Sequence, residues 1–322
     1  MKKTTTTKDL HEQRKVLWNE SISAHRKYLD TETGLFADRH VENRKCPACG
    51  ESDAPPLFQK EGGTYVKCGN CDMVFLNPVL KDEALYDFYK SNHTVQSEIV
   101  ESDLSFYGEL YNKGLQAIEA TSPSPSKGRL LDIGCSSGIF LDIAREQGWR
   151  TYGVELNRRE AEIAKTKEHT IYGDPIENIN FDIKFNAVTL WDVFEHIKDG
   201  GAFLKTVKSF LSEDGIVFMQ IPSSGSLAAM ILHEKCNMFD GLEHVNLYCK
   251  KAVEALLDKN GFEILDCRTV ISEIGVINNH LAYENPYLGH VSDNDTILGL
   301  LNEKQIHENL LGYKYQIVIG LS

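Results

Sequence analysis

From residue 129 onward, short and mostly apolar runs alternate with amphipathic stretches of helical period. Arg129–Ile133, Arg150–Glu155, Thr170–Tyr172, Asn186–Trp191, Ile216–Ile221, Phe262–Val270 and Tyr315–Leu321 read as strands. Ile139–Gly148, Arg158–Glu168, a stretch around Gly201–Leu211 and Lys251–Asn260 read as helices, with Gly148 and Gly261 as stop signals. Such alternation, joined by short links, predicts an α/β, doubly wound, seven-stranded sheet with helices on both faces. Residues 272–312 interrupt it and read as an insert before the last strand.

Upstream the pattern changes. Residues 11–45 are charged, with scattered apolar positions (Val16, Leu17, Ile22, Tyr28, Leu29) that suggest one or two amphipathic helices. Residues 46–76 are rich in Cys, Gly and Pro and lack helical period. Residues 82–120 look helical, with Leu85, Phe88, Tyr89, Leu104, Tyr107, Leu110, Tyr111, Leu115 and Ile118 expected to be buried. Thr121–Gly128 (TSPSPSKG) is a linker. The expected division is a helical extension (1–45), a cysteine module (46–80), a helical connector (81–125) and the sheet domain (126–322). The first helices offer either a cap for the cysteine module or a homodimer contact.

Composition narrows the function classes. At 322 residues and 42% hydrophobic, the chain supports two or three units. Its net charge of -13 argues against a sequence-independent nucleic-acid binder, which needs Lys and Arg to displace phosphate counterions. No apolar run approaches the roughly 18 residues of a membrane span, and the polar, Thr-rich N-terminus lacks the apolar stretch of a signal peptide. A cytoplasmic location, with reduced thiols, is the expectation. The eight cysteines then need an explanation other than disulfides. Cys46, Cys49, Cys68 and Cys71 form C-x2-C-x18-C-x2-C, the spacing of a structural Zn2+ site with four thiolate ligands and no open position. A pair of redox dithiols is the alternative. Cys135, Cys236, Cys249 and Cys267 are scattered and suit small buried positions.

The strand Arg129–Ile133 delivers the chain to Gly134-Cys135-Ser136-Ser137-Gly138, and a helix follows at Ile139. Two glycines permit a tight turn and close backbone approach, and the helix start offers unpaired N–H groups to an anionic group. The loop lacks the G-x-G-x-x-G of a dinucleotide site. It does match G-x-S-x-G, the hydrolase nucleophile elbow with Ser136 as nucleophile, but it follows the first strand of the sheet instead of a later one. Glu155, 21 residues after Gly134 and at the end of the second strand, is placed to accept from ribose hydroxyls. A solvated Glu and a ligand-free Gly turn are the plain alternatives.

LLDIGCSSG, YGVEL, FNAVTLWDVFEHI and GIVFMQIP, in that order, resemble the class I methyltransferases that use S-adenosylmethionine, over about residues 128–270. Ser136 departs from many members, which have Gly there. The resemblance implies a Rossmann-like methyltransferase sheet and a set of roles. Asp132 would orient the loop and reach the methionine end. Gly134, Cys135, Ser136 and Gly138 would line it. Glu155 would hold the ribose diol, and Leu156 and Asp174 would lie at the adenine. Trp191 and Asp192 would close over the methionyl amine and sulfonium, with Trp191 equally suited to the core. S-adenosylhomocysteine would be the product.

Two Glu-His pairs follow strands at the ligand end of the sheet: Glu195-His196 and Glu243-His244. A hydroxyl or carbon acid needs a base to be methylated, and His suits that task. EHVNLY, a helix and then NGFEIL is similar to a segment of bacterial sugar methyltransferases, where the His is the proposed base. This makes His244 the expected base, Glu243 its partner, His196 the alternate, and Tyr248 a pocket residue. CPACG and KCGNCDMVFLNP before a methyltransferase domain also resemble a bacterial arrangement tied to surface-polysaccharide modification. The expected acceptor is therefore a small-molecule or glycan sugar, methylated on oxygen or carbon. An RNA methyltransferase gripping its substrate with the ribbon, and a non-catalytic protein retaining the fold, are the alternatives. Residues 223–242 read as a flexible pocket wall. Asn278, Asn279, His280, Tyr283, Tyr287 and His290 suit a sugar or a subunit contact equally.

Overall fold

The structure is a computed structural model and describes residues 25–85, 100, 101, 103–122, 127–282 and 295–322. The chain divides into two compact units. One comprises residues up to 94 with 222–253 and 269–314; the other comprises 95–221, 254–268 and 315–322. This cuts across the linear division expected above, because later segments return to the cysteine module.

In the first unit, residues 26–45 form two 3₁₀ turns (Arg26–Tyr28 and Asp38–His40) and strand β1 (Val41–Glu42), not the amphipathic helix suggested for 11–45. The cause is local. The Asp30 carboxylate accepts from the backbone N–H of Glu32 and Thr33, and Gly34 adopts positive φ, so the chain turns. Tyr28, Phe36 and Val41 then pack with Leu80, Ala84 and Leu85. Val16, Leu17 and Ile22 lie outside the described residues, as do Phe88 and Tyr89. Strands β2 (Pro56–Lys60), β3 (Gly63–Lys67), β4 (Val74–Leu76) and β5 (Val79–Leu80) follow; β2, β3 and β4 form an antiparallel meander and β5 pairs with β1.

The second unit opens with helix α1 (Leu104–Thr121), capped by Asp103, whose carboxylate accepts from Phe106 N–H. Leu110, Leu115 and Ile118 are buried as expected, whereas Leu104 is exposed at the first turn. Then come β6 (Arg129–Ile133), α2 (Ile139–Glu146), β7 (Arg150–Val154), α3 (Arg158–Thr166), β8 (Thr170–Tyr172), β9 (Phe185–Trp191), α4 (Gly200–Phe210) and β10 (Leu211–Pro222). β10 starts five residues earlier than the apolar run implies, with a register irregularity between Leu211 and Ile216.

The chain continues through α5 (Leu227–Leu232), β11 (Asn246–Leu247), α6 (Lys250–Asn260), β12 (Phe262–Val270), α7 (Ile274–Ala282), the hairpin β13 (Thr296–Ile297) and β14 (Leu301–Asn302), α8 (Glu303–Glu308) and β15 (Lys314–Leu321). The expected α/β sheet of seven strands is present, in the order β12-β15-β10-β9-β6-β7-β8. The pairs β8–β7, β7–β6, β6–β9 and β9–β10 are parallel. Between β6 and β9 the strand order reverses, and such a reversal leaves a crevice beyond the carboxyl ends of the strands.

Residues 223–242 are not a flexible wall. Ala228, Ala229, Leu232, Cys236, Met238 and Phe239 belong to one buried cluster with Tyr65, Val74 and Leu76. Phe239 meets the rings of Phe58 and Tyr65 edge-on at 4.9 and 5.2 Å. Apolar residues that suggested a pocket wall are instead core.

Gly114 lies where α1 crosses the sheet. A Cβ there would collide with the Trp191 ring and come within 2.8 Å of Phe218. Ala favours a helix by about 1 kcal/mol over Gly, but overpacking against rigid rings costs about 1–3 kcal/mol. Gly114→Ala should therefore lower stability by up to about 2 kcal/mol in urea denaturation; a stabilised variant would show that the rings yield.

Candidate active site

Asp132 ends the buried centre of β6, opposite Thr189 of β9. It is almost wholly buried, and the Thr189 hydroxyl donates to its Oδ1 at 2.7 Å. Burial pushes its carboxyl up to about 8 and the charge of Glu155 adds to this, while the Thr189 bond opposes it. The loop that follows turns sharply: Gly134, Ser136 and Gly138 all have positive φ. A Cβ on Gly134 would lie 2.6 Å from Val193, just past the end of β9. Positive φ at position 136 explains why Gly suits it. Here Ser136 accepts the strain and uses its side chain, with Oγ donating to Glu160 at 2.9 Å and its backbone N–H donating to Glu155 at 2.9 Å.

Glu155 follows β7. It accepts Ser136 N–H on one oxygen and Asn157 N–H, at 2.6 Å, on the other. Burial raises its pKa, partly offset by those two backbone donors. An ionised carboxylate has about four acceptor sites, so two donors do not saturate it. Beside it Leu156 is 64% exposed, an apolar side chain held at the surface next to a half-buried acid. Asp174 is exposed after β8. Cys135 is buried, and burial pushes its thiol far up, which makes it a packing residue and not a nucleophile. Ser137 Oγ is buried with no hydrogen-bond partner among the described residues.

Trp191 packs among Tyr111, Phe140 and Phe218 with ring centroids 4.8, 5.0 and 4.6 Å away. That is a core environment for the ring. Its successor Asp192 has positive φ, donates its N–H to Gln220 O at 2.9 Å and accepts from Gln220 Nε2 at 3.2 Å. His196 is half-buried in the 3₁₀ turn Phe194–His196, with Glu195 buried beside it. Glu160 was passed over in the sequence, and Tyr111 was expected only as a buried helix position. Glu160 carries a recognisable signal, since Asn157 caps α3 by accepting from Arg159 and Glu160 N–H. Tyr111 lies near the carboxylates of Asp132 and Asp192; burial and those charges raise its pKa.

In the other unit, β11 pairs with β4, opposing Asn246 to Phe75 and Leu247 to Val74. The segment Glu243–Leu247 is thereby fixed to the cysteine module. Arg44 reinforces this: Nη2 donates to Val245 O at 2.7 Å and Asn246 Oδ1 at 3.0 Å, and Nε to Leu76 O at 3.0 Å. His244 Nδ1 lies 2.7 Å from Met238 O. A carbonyl only accepts, so Nδ1 carries the proton and Nε2 is the basic nitrogen of the neutral ring. A carboxylate oxygen of Asp240 lies 3.9 Å from that Nδ1. Asp240, also overlooked, accepts from the N–H groups of Leu242, Glu243 and His244, and the Asp-Gly step is its sequence signal. Glu243 is half-buried, and desolvation pushes it up to about 7, with Asp240 adding and His244 opposing. Tyr248 is fully buried and is core, not pocket lining.

The four cysteines converge. Cys46 and Cys71 sulfurs lie 3.5 Å apart, Cys49 and Cys68 3.4 Å, and all four within 4.8 Å of one another. A tetrahedron with metal–sulfur bonds of about 2.3 Å has edges of about 3.8 Å, so this donor set fits zinc. Positive φ at Gly50 and Asp72 shapes the two knuckles. Among the described residues no helix is long and apolar enough to cross a membrane. In the 272–312 segment, Asn279 is buried and Asn278 donates to Thr296 O, while Tyr283, Tyr287 and His290 lie outside the described residues.

The raised Asp132 pKa has a definite sign. An unfolded Asp titrates near 3.9, so the folded state holds the proton more tightly. That contribution is full below about pH 4 and is lost as pH rises to about 8. Asp132→Asn cannot ionise. Its stability relative to the parent should therefore improve across this window, by at most about 1.4 kcal/mol per pH unit. Urea titrations at several pH values check this; a constant gap would contradict it.

Residues 105–266 match a family model described as a methyltransferase domain, which is 162 of the 322 residues. The C-methyltransferase NovU of Streptomyces niveus is 23% identical over 212 residues, covering 63% of this chain and 47% of its own length. The ubiquinone biosynthesis O-methyltransferase of Haemophilus ducreyi is 26% identical over 105 residues, 28% of this chain and 44% of its own. The chain thus spans about half the length of these curated relatives. The plantazolicin methyltransferase BpumL, solved in complex with S-adenosylhomocysteine, aligns with a TM-score of 0.50 at 13% identity, covering 74% of this chain and 94% of that one. That is a likeness of fold. With half its length matched by the family model, this chain belongs to the methyltransferase-domain family.

Proposed function

We propose that this protein transfers a methyl group from S-adenosylmethionine to a sugar, nucleotide-linked or in a surface glycan. The observation that carries the donor assignment is the loop 134–138 at the strand-order reversal, with Glu155 one strand away. Gly134 and Gly138 give the close backbone approach, Glu155 retains acceptor capacity for a ribose diol, and exposed Leu156 offers an apolar face to a base. Ser137 Oγ is a buried polar group in want of a partner within the same loop. Asp192 follows the end of β9, next to the β6 strand that carries Asp132, and its carboxylate there complements a cationic methionyl end. When bound, S-adenosylmethionine supplies an electrophilic methyl group on a sulfonium sulfur; the residues align donor and acceptor, which is largely a proximity effect.

For the acceptor, His244 is the base. Met238 O accepts from Nδ1 and Asp240 lies 3.9 Å from it, so the proton of the neutral ring sits on Nδ1 and Nε2 is its basic nitrogen. Glu243, whose charge interacts with His244, is its partner, and His196 is the alternate base. Methylation at carbon is favoured over oxygen by the likeness to NovU, whose match is longer than the 162-residue family segment. The Cys46–Cys49–Cys68–Cys71 cluster is a structural zinc site that stiffens the sheet to which β11 is added.

Three outcomes test these readings. Calorimetry should show saturable S-adenosylmethionine binding; its absence at millimolar donor would end the donor assignment. His244→Ala should reduce methyl transfer at least 100-fold, in keeping with the contribution of a general base, while leaving donor affinity within about twofold; retained turnover would pass the role to His196 or to alignment alone. Metal analysis should find one zinc per chain, and chelation should speed hydrogen exchange of the β11 amides, which depend on β4. Unchanged exchange after full metal removal would separate the cluster from the His244 segment.

A further inference from the structure

Two buried glutamines lie behind Asp192. Gln220 on β10 and Gln316 on β15 are 3% and 0% exposed, inside the seven-stranded sheet. A primary amide in such surroundings is unfavourable unless bonded, and Leu or Met would fill either position without that requirement. The bonds the amides make form a directed chain. Gln316 Nε2 donates to Leu110 O of α1 at 3.3 Å and to Gln220 Oε1 at 3.0 Å. Gln220 Nε2 donates to Asp192 Oδ2 at 3.2 Å. A main-chain carbonyl and a carboxylate accept only, so the acceptors at the two ends fix which way both amides point.

Gln220 holds Asp192 twice, since its main-chain carbonyl also accepts Asp192 N–H at 2.9 Å. The clamp acts on a residue whose φ of 55° is costly for a non-glycine, by roughly 1–2 kcal/mol. Strain of this kind persists where the surroundings over-determine it. The chain also ends on the carbonyl of Leu110, next to Tyr111, whose ring packs on Trp191. One side-chain network thus governs both the Asp192 carboxylate and the turn of α1 beside it.

We infer that Gln220 and Gln316 are positioning residues that orient the Asp192 carboxylate toward the cationic end of the methyl donor. The inference rests on the proposed donor assignment. Neither glutamine is a catalytic residue; Gln220 acts through Asp192, and Gln316 through Gln220.

The test is a double-mutant cycle read by calorimetry with S-adenosylmethionine and S-adenosylhomocysteine. A hydrogen bond to a charged group is worth enough to predict that Gln220→Leu weakens S-adenosylmethionine binding about tenfold or more. The loss should be smaller for S-adenosylhomocysteine, whose sulfur is neutral. Gln316→Leu, which does not touch Asp192, should cost about threefold by releasing Gln220, and it serves as the second variant if Gln220→Leu folds poorly. In an Asp192→Asn background both losses should shrink to within about twofold, because the effect has to pass through the carboxylate. A merely structural pair would lower the melting temperature in both backgrounds yet leave the affinity of the folded protein unchanged. Unchanged affinity in the folded single variants, or an equal loss with and without Asp192, would overturn the inference. If the parent protein itself shows no saturable binding, the donor assignment fails and this inference falls with it.

Discussion

The reversal of strand order between β6 and β9 is the constraint on which the site in the sheet unit depends. Chains leaving those strands diverge to opposite faces, so neither α2 nor α4 can cover the strand ends between them. Polar groups can be gathered there, and acids are what this sequence gathers: Asp132 on β6, Glu155 after β7, Asp192 after β9 and Glu160 on α3. Burying carboxylates is unfavourable unless each finds donors. Thr189 serves Asp132, two backbone amides serve Glu155, the Ser136 hydroxyl serves Glu160, and Gln220 serves Asp192. Stability is spent on an acidic cleft that an apolar core would not need, and a cationic ligand carrying hydroxyls is the chemistry that uses it.

The other unit follows a different rule. A small cysteine-rich sheet has too little apolar surface to fix its own position, and it recruits β11, α5 and α7 from far along the chain. Arg44 carries this recruitment. Burial pushes its guanidinium down to about 10, so it remains charged at neutral pH, and it donates to carbonyls on both β4 and the segment after His244. Cys249 Sγ lies 3.4 Å from Cys71 O, and Lys251 pairs with Asp72 at 3.0 Å, so the start of α6 is tied to the second cysteine knuckle as well.

What was legible in the sequence was whatever depended on local pattern. β6 and β12 have the expected bounds, because an apolar run between turn residues is a strand wherever it is placed. Cys46, Cys49, Cys68 and Cys71 were legible from spacing alone, and the Gly134–Gly138 loop from its place after a strand. What failed depended on partners distant in sequence. Residues 26–45 carried helix-like charge, but the Asp30 turn and the cluster under Tyr28 overrode it. Met238, Phe239 and Tyr248 looked like pocket lining and are core, since only the returning chain shows what covers them. Asp240, which lies 3.9 Å from His244 Nδ1, was overlooked because its place comes from an Asp turn four residues away and not from adjacency.

Gln220 and Gln316 show the limit most sharply. Within GIVFMQIP and KYQIVIGL each is one polar residue in an apolar strand, and nothing local distinguishes it from an edge position. They are 96 residues apart and meet only because β15 is laid beside β10. Once it is, the direction of every donor is dictated by acceptors at the two ends, Leu110 O and the Asp192 carboxylate. A polar residue inside a central strand is therefore better read as a question about its neighbour's neighbour: the amide that seems misplaced in its own strand is explained by the charge it supports one strand away.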